Sequence, residues 1–98
     1  MAAAATWYTR AATQGVVPAM VNLAILYERG EGVGASAVDA YAWYRAAGRR
    51  DNAAAAKRAD ELFEVLAPRE RNRAGTRADE IAAQIHERLG DAPKADAP

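Results

Sequence analysis

The feature that most constrains this sequence is an aromatic pair that recurs after 36 residues. Trp7-Tyr8 precedes, and Trp43-Tyr44 follows, a segment that runs from Asn22 through Gly30 and Gly32. When the chain is shifted by 36 places without gaps, further positions carry the same or a similar residue: Ala4 and Ala40, Ala11 and Ala47, Ala19 and Ala55, Leu26 and Leu62, Tyr27 and Phe63. A period of this size is typical of helical-hairpin repeats, in which each unit buries its apolar face by stacking on a neighbour.

Length and composition restrict the class of protein further. A chain of 98 residues is the size of one small domain, and the absence of cysteine excludes a disulfide framework and thiolate chemistry. The formal net charge of zero argues against a general nucleic-acid or membrane-surface protein, and no apolar run approaches the ~20 residues that span a bilayer. The start of the sequence lacks a basic signal region, so we expect a cytoplasmic protein if Met1 is the native start. If the sequence belongs to a longer chain, a periplasmic or envelope-associated location is the alternative.

The distribution of helix signals predicts an all-α fold without a sheet. Alanine is abundant and β-branched residues are sparse, which favours helices. Capping residues and apolar stripes predict five helices, at about 2–14, 17–29, 36–48, 53–66 and 68–89. We expect Ser36 with Asp39 to cap the third helix and Asn52 to cap the fourth. Gly75 is a point at which the fifth helix could bend, and Val33 is the expected apolar plug beneath the two-glycine turn.

These helices divide the sequence into four predicted parts. Residues 1–15 form the second helix of a partial first repeat, and residues 16–50 form a complete repeat. Residues 51–90 form a closing hairpin with a C-terminal capping helix, and residues 91–98 form a flexible tail.

The pattern of small, aromatic and glycine residues resembles that of a known repeat family. Ala4-x-x-Trp7-Tyr8-x-x-Ala11-Ala12-x-x-Gly15 continues as Asn22-Leu23-Ala24-x-Leu26-Tyr27-x-x-Gly30-x-Gly32-Val33 and then as Ala40-x-x-Trp43-Tyr44. Over about 4–48 this pattern resembles the Sel-one-like repeat, a relative of the tetratricopeptide repeat, and 53–89 resembles the terminal helices that close such arrays. The sequence departs from the family pattern at Ser36, where an acidic residue is usual, and at Asp51, which occupies the register position of a glycine.

The resemblance implies both a fold and a function. The implied fold is an α/α-hairpin solenoid, a tetratricopeptide-like superhelix with a C-terminal capping helix. The implied function is that of a non-enzymatic adaptor that binds a partner protein or peptide through its concave helical face, as in bacterial signalling, envelope and secretion systems. Kinship of fold does not name the partner.

The aromatic and leucine positions of the repeat are predicted to form the core rather than a ligand cage, because aromatics at helical spacing beside alanines usually pack inside. The predicted core residues are Trp7, Tyr8, Leu23, Leu26, Tyr27, Trp43, Tyr44, Leu62 and Phe63. The alternative for Trp7 is an exposed end face, because no preceding helix is available to cover it.

Asn22 is the main candidate for partner binding. In the related tetratricopeptide scaffold an asparagine just before the Leu-small pair faces the concave groove, so the resemblance implies the same place for Asn22. An amide both donates and accepts hydrogen bonds, which suits capture of a peptide backbone. Helical periodicity adds further candidates from the second and fourth helices: Val21, Ile25, Glu28, Arg29, Lys57, Arg58 and Glu61. The alternative interpretation is a solvated helix face whose one amide is bonded to the neighbouring helix.

The remaining candidates give little support for other functions. Basic residues outnumber acidic ones between Arg45 and Arg77, which fits either a patch for an acidic partner or a solvated face paired with Asp60 and Glu70. The arginine-rich fifth helix has no base-stacking aromatic, so we expect no nucleic-acid partner. His86 is the only histidine and lacks metal-ligand spacing, so we expect no metal site, no cofactor and no enzymatic activity.

A second function from a different class also fits the sequence. The uncovered first helix could dock on a second copy and hide Trp7, which would make the chain a homo-oligomer. In the same class, the chain could be the terminal cap of a longer repeat array.

Overall fold

The computed structural model describes residues 2–32, 34 and 36–89. That part of the chain contains five α-helices and no strand, which confirms the all-α fold class. The helices are α1 (Ala2–Thr13), α2 (Val17–Arg29), α3 (Ala37–Gly48), α4 (Ala53–Val65) and α5 (Pro68–Leu89), close to the predicted bounds. The predicted plug Val33 and the predicted tail 91–98 lie outside the described residues.

The 36-residue period of the sequence is also a period of the backbone. Helices α2 and α4 each contain 13 residues, and both ends of α4 follow the ends of α2 by the same interval. The turns before them repeat as well. The Val16 N–H donates to the Ala11 carbonyl at 3.1 Å, and the Asn52 N–H donates to the Ala47 carbonyl at 3.2 Å. The repeat therefore extends to the backbone of α2, α4 and the turns that precede them.

The turn before α4 keeps its shape although an aspartate replaces the glycine of the turn before α2. Gly15 has a φ of 88° and Asp51, its counterpart, has a φ of 73°. Among the described residues, Asp51 is the one non-glycine with a positive φ. Aspartate is one of the few side chains that tolerate this left-handed region, so the departure from the family pattern alters the residue and not the turn.

Both predicted side-chain caps are present. The Ser36 Oγ accepts the N–H of Asp39 at 3.1 Å at the start of α3. The Asn52 Oδ1 accepts the N–H of Ala55 at 2.9 Å at the start of α4. Each bond satisfies one of the backbone donors that a helix start leaves without a partner.

Helix α3 is the centre of the molecule, because α2, α4 and α5 all pack against it. The predicted stripe of α3 is buried, and three further residues are buried with it: Tyr41, Ala42 and Ala46. Its charged residues, Asp39 and Arg45, remain partly accessible. A helix that is apolar around most of its circumference is expected in such a position.

Helix α5 packs mainly against α3 and also contacts α1, rather than forming a simple hairpin with α4. Arg77 on α5 pairs with Asp39 near the start of α3 at 3.1 Å, and Arg49 at the end of α3 pairs with Asp79 at 3.3 Å. Because Asp39 and Arg49 are about 15 Å apart along a helix, we infer that α5 crosses α3. The helix is continuous through Gly75.

Most of the predicted core is buried, but the prediction for Trp7 is wrong. Trp7 is 71% exposed, whereas its counterpart Trp43 is 2% exposed. The reason is position: α3 has neighbours on several sides, and no described helix covers the corresponding side of α1. The other predicted core residues are buried or pack, half-buried, against the core: Tyr8, Leu23, Leu26, Tyr27, Tyr44, Leu62 and Phe63.

Candidate functional site: the α2–α4 face

The predicted binding residues lie on α2 and α4, and the surface that they are predicted to form is called here the α2–α4 face. Its members are Val21, Asn22, Ile25, Glu28, Arg29, Lys57, Arg58 and Glu61. Val21 and Ile25 are half-buried and pack against the core. The members exposed to solvent are Asn22, Arg29, Lys57 and Glu61.

Two predicted members of this face bind each other across 30 positions of sequence. The Arg58 Nε donates to the Glu28 Oε1 at 3.2 Å, and the Arg58 Nη2 donates to the second carboxylate oxygen. The hydroxyl of Tyr44 also donates to the Glu28 Oε1, at 2.6 Å. Arg58 further donates to Glu61 at 3.2 Å. The carboxylate of Glu28 therefore links α2 to both α3 and α4.

The electrostatics of this network keep Glu28 and Arg58 charged. Hydrogen bonds from Arg58 hold the pKa of the Glu28 carboxyl below its usual range, although burial opposes the shift. Burial, followed by the hydrogen bond to Glu28, raises the pKa of Tyr44 to about 12. Hydrogen bonds to Glu28 and Glu61 raise the pKa of the Arg58 guanidinium. At neutral pH, Tyr44 is a neutral donor to an ionised carboxylate, which is a strong arrangement.

The network changes the role of two predicted binding residues. Glu28 and Arg58 are bonded to each other, so their first role is to link α2 to α4 through their side chains. A ligand that used Arg58 would have to compete with a bidentate carboxylate. Sequence analysis did not predict this pair, because shifting the chain by 36 residues does not align Glu28 with Arg58. Opposite charges on equivalent faces of consecutive repeats were the available signal.

Asn22, unlike Glu28 and Arg58, does not take part in this network. It is exposed, and its amide has no hydrogen-bond partner among the described residues. The interpretation in which this amide is bonded to a neighbouring helix therefore receives no support from the described contacts. Arg29 lies close to Glu31, with a nitrogen–oxygen distance of 3.8 Å, and stays 68% exposed. Asn22 and Lys57 are the members of this face that have no side-chain partner among the described residues, whereas Glu61 is bonded to Arg58 and Arg29 is paired with Glu31.

Several arginines between Arg45 and Arg77 form bonds within the chain. Arg45 pairs with Asp60 and also lies over the ring of Tyr41, 5.3 Å from its centroid. Arg71 donates to the Phe63 and Glu64 carbonyls at 3.0 Å each, which satisfies the last turn of α4. These contacts favour the paired-face interpretation of the basic segment over an open patch.

Other classes of site find little support in the described part of the chain. No group of three His, Asp or Glu side chains there is arranged to hold a metal ion. None of the helices described combines the length and the apolar character needed to cross a membrane. The Nε2 atom of His86 is buried and has no hydrogen-bond partner among the described residues.

Comparison with other proteins leaves the family expectation as it was. The sequence matches no known family model and no curated protein at a significant level.

Proposed function

We propose that the chain is a protein–protein interaction scaffold, built as an α/α-hairpin solenoid of the Sel-one-like type. The support for the solenoid is the shared 36-residue period of helix ends and turn hydrogen bonds. Such scaffolds act by presenting a rigid helical face to a partner rather than by catalysis.

The proposed partner is a protein or peptide segment that binds the α2–α4 face. The observation that carries this proposal is the exposed amide of Asn22, which has no hydrogen-bond partner among the described residues and lies on the helix that the Glu28–Arg58 pair links to α4. Val21 and Ile25, which are half-buried on the same helix, would supply apolar contact to the partner. An amide can donate to a peptide carbonyl and accept from a peptide N–H, so it recognises the backbone whatever the side chains.

The test is selection of peptides from a random display library on the full chain, followed by titration of the best peptide by fluorescence anisotropy. Asn22→Ala should weaken binding about tenfold, equivalent to one good hydrogen bond of about 1.4 kcal/mol. Gln14→Ala is the matched control, because it removes an exposed amide at the end of α1, away from this face. Equal affinities for the two variants would refute the assignment of the face.

Self-association through α1 is the second candidate, and the exposure of Trp7 is the observation that favours it. It uses a different surface from the α2–α4 face. Size-exclusion chromatography with light scattering would report a dimer for the wild type and a monomer for Trp7→Ala. A monomeric wild type at all accessible concentrations would remove this candidate.

A further inference from the structure

Helices α1 and α3 carry the same four-residue stripe in two different environments. The stripe of α3 is buried throughout: Ala40, Trp43, Tyr44 and Ala47. The stripe of α1 has the same residues at the same spacing, Ala4, Trp7, Tyr8 and Ala11, and none of them is fully buried. The structure therefore contains a filled version and an open version of one surface.

The filled version shows what covers such a stripe. Helix α3 packs against α2, α4 and α5, and α2 is the helix that supplies a carboxylate to its Tyr44. The hydroxyl of Tyr44 donates to Glu28 of α2 at 2.6 Å, and Arg58 of α4 bonds the same carboxylate. A carboxylate on the covering helix is thus held by one group from each of the next two helices.

The open version has two hydrogen-bond donors in the corresponding places but no carboxylate for them to bind. Tyr8 and Asn22 precede Tyr44 and Arg58 by 36 positions each. Helix α1 packs on α2 as α3 packs on α4, so the register places Tyr8 and Asn22 in corresponding positions. Neither side chain has a hydrogen-bond partner among the described residues. The Asn22 amide can donate to a carboxylate where Arg58 does in the filled version.

We propose that the open stripe of α1 is a docking site for one amphipathic helix of a partner protein, and that this helix carries the pattern of α2. Its small and apolar residues cover Trp7, Ala4 and Ala11. Its carboxylate, in the place of Glu28, accepts hydrogen bonds from the Tyr8 hydroxyl and the Asn22 amide. This site shares Asn22 with the α2–α4 face and otherwise uses residues of α1.

A second folded copy of this chain does not supply such a helix. The apolar side of its own α2 is already buried in its own core, through Met20, Leu23 and Leu26. To offer that side to another molecule, the copy would have to open its central packing. Helix α1 of a second copy has a free apolar side, but its residues Ala2–Thr13 include no carboxylate to bind Tyr8 and Asn22. The occupant is therefore a helix of another protein that has both a free apolar side and a carboxylate.

The probe for this site is a peptide with the sequence of residues 16–32, held helical by a staple between positions 18 and 22, which are exposed in α2. The full chain is labelled with 5-fluorotryptophan and followed by fluorine NMR. The Trp7→Phe variant assigns the two tryptophan signals. Peptide binding should shift the Trp7 signal, abolish its sensitivity to exchange of H2O for D2O, and leave the Trp43 signal unchanged.

Matched substitutions then test the polar contact. Tyr8→Phe in the protein, or Glu→Gln at the position of Glu28 in the peptide, should each weaken binding about tenfold. The loss of affinity for the combination should be smaller than the product of the two single losses, because both changes act on the same hydrogen-bonded carboxylate. These changes leave Asn22, Lys57 and Glu61 of the protein untouched, so failure here would not affect the proposal for the α2–α4 face.

Three outcomes would overturn the proposal. The first is an unchanged Trp7 signal at about 1 mM peptide, the limit of weak specific binding. The second is a change at Trp43 in place of Trp7, which would mean that the peptide displaces α2. The third is a Trp7-dependent dimer of the free protein, which would make a second copy the occupant.

Discussion

At the scale of single residues, two backbone positions determine how α4 follows α3 and how closely the two helices approach. One is the left-handed turn at Asp51, which has the same conformation as the turn at Gly15. The other is Gly48, which ends α3 where α4 begins to pack against it. A Cβ atom added to Gly48 would lie 2.8 Å from the Cβ of Ala56 and 2.9 Å from its Cα. Both are properties of the backbone, and neither depends on side-chain chemistry.

The turn predicts opposite effects for two substitutions of Asp51. Asp51→Gly should raise the free energy of unfolding by up to about 1 kcal/mol, because glycine adopts a positive φ without strain. Asp51→Val should lower it by about 1–2 kcal/mol, because a β-branched residue is strained there. Urea unfolding followed by circular dichroism measures both values, and Asp51→Asn is the control expected to change little. Similar values for glycine and valine would contradict a left-handed turn.

Alanine substitutions at two helical glycines should change stability in opposite directions. Gly48→Ala should destabilise the protein by about 1–3 kcal/mol, since the backbone of Ala56 cannot move aside easily. Gly75→Ala should stabilise it by up to about 1 kcal/mol, because no neighbour lies within 4 Å of the added carbon and alanine is the better helix former. Thermal unfolding of the two variants provides the comparison. If both stabilised the protein, the close approach of α3 and α4 would be ruled out.

At the scale of elements, the network around Glu28 joins three helices through one carboxylate. Because the folded-state pKa of Glu28 is lowered, its contribution to stability is present above the unfolded pKa of about 4.3. That contribution is lost as the pH falls toward the lowered value. Burial and Glu28 raise the pKa of Tyr44 to about 12, so the contribution of Tyr44 is complete below pH 10 and declines as the pH rises from 10 to 12.

Two variants separate the acid and alkaline parts of this dependence. Glu28→Gln should lower stability at pH 7 by about 1–3 kcal/mol, the range for hydrogen bonds to charged groups, and should flatten the loss of stability below pH 5. Tyr44→Phe should flatten the loss between pH 10 and 12. Denaturant midpoints measured across the pH range give both slopes. A wild-type acid slope that survives in Glu28→Gln would assign it to other carboxylates.

The helices and caps could be predicted from the sequence because their signals are local. Ser36, Asn52 and the alanine stripes act within one or two turns of a helix, which is the distance that sequence periodicity reports. The crossing of α5 over α3 could not be predicted, since it depends on contacts between Arg49 or Arg77 and residues about thirty or more positions away. The burial of Tyr41 follows from three neighbours around α3, which no single stripe indicates.

The candidate site was predictable in part for the same reason. Periodicity placed Asn22, Glu28 and Arg58 on one side of their helices, and the structure brings Glu28 and Arg58 into contact. It could not distinguish a carboxylate that faces a partner from one that faces the next helix. That distinction depends on the distance between two helices, which is set by core packing and not by either helix alone.

At the scale of the whole molecule, stability depends on a core centred on α3. The side of α1 that carries Trp7 is not covered by any of the described helices. Replacing each of the two tryptophans tests this difference between the core and the open side of α1. Trp43→Ala removes a side chain that is 2% exposed and should lower the free energy of unfolding by about 3–5 kcal/mol. A small domain has only about 5–15 kcal/mol in total, so this variant should be close to unfolding at 37 °C. Trp7→Ala removes a side chain that is 71% exposed and should change stability by no more than about 0.5 kcal/mol.

Chemical denaturation of the two alanine variants, with Trp43→Phe and Trp7→Phe as conservative controls, gives the four values needed. Phenylalanine should recover most of the loss at Trp43, because it refills much of the cavity. It should make no difference at Trp7, where no cavity forms. Equal losses for Trp7→Ala and Trp43→Ala would mean that α1 is covered in solution, either by another molecule or by a different arrangement of the helices.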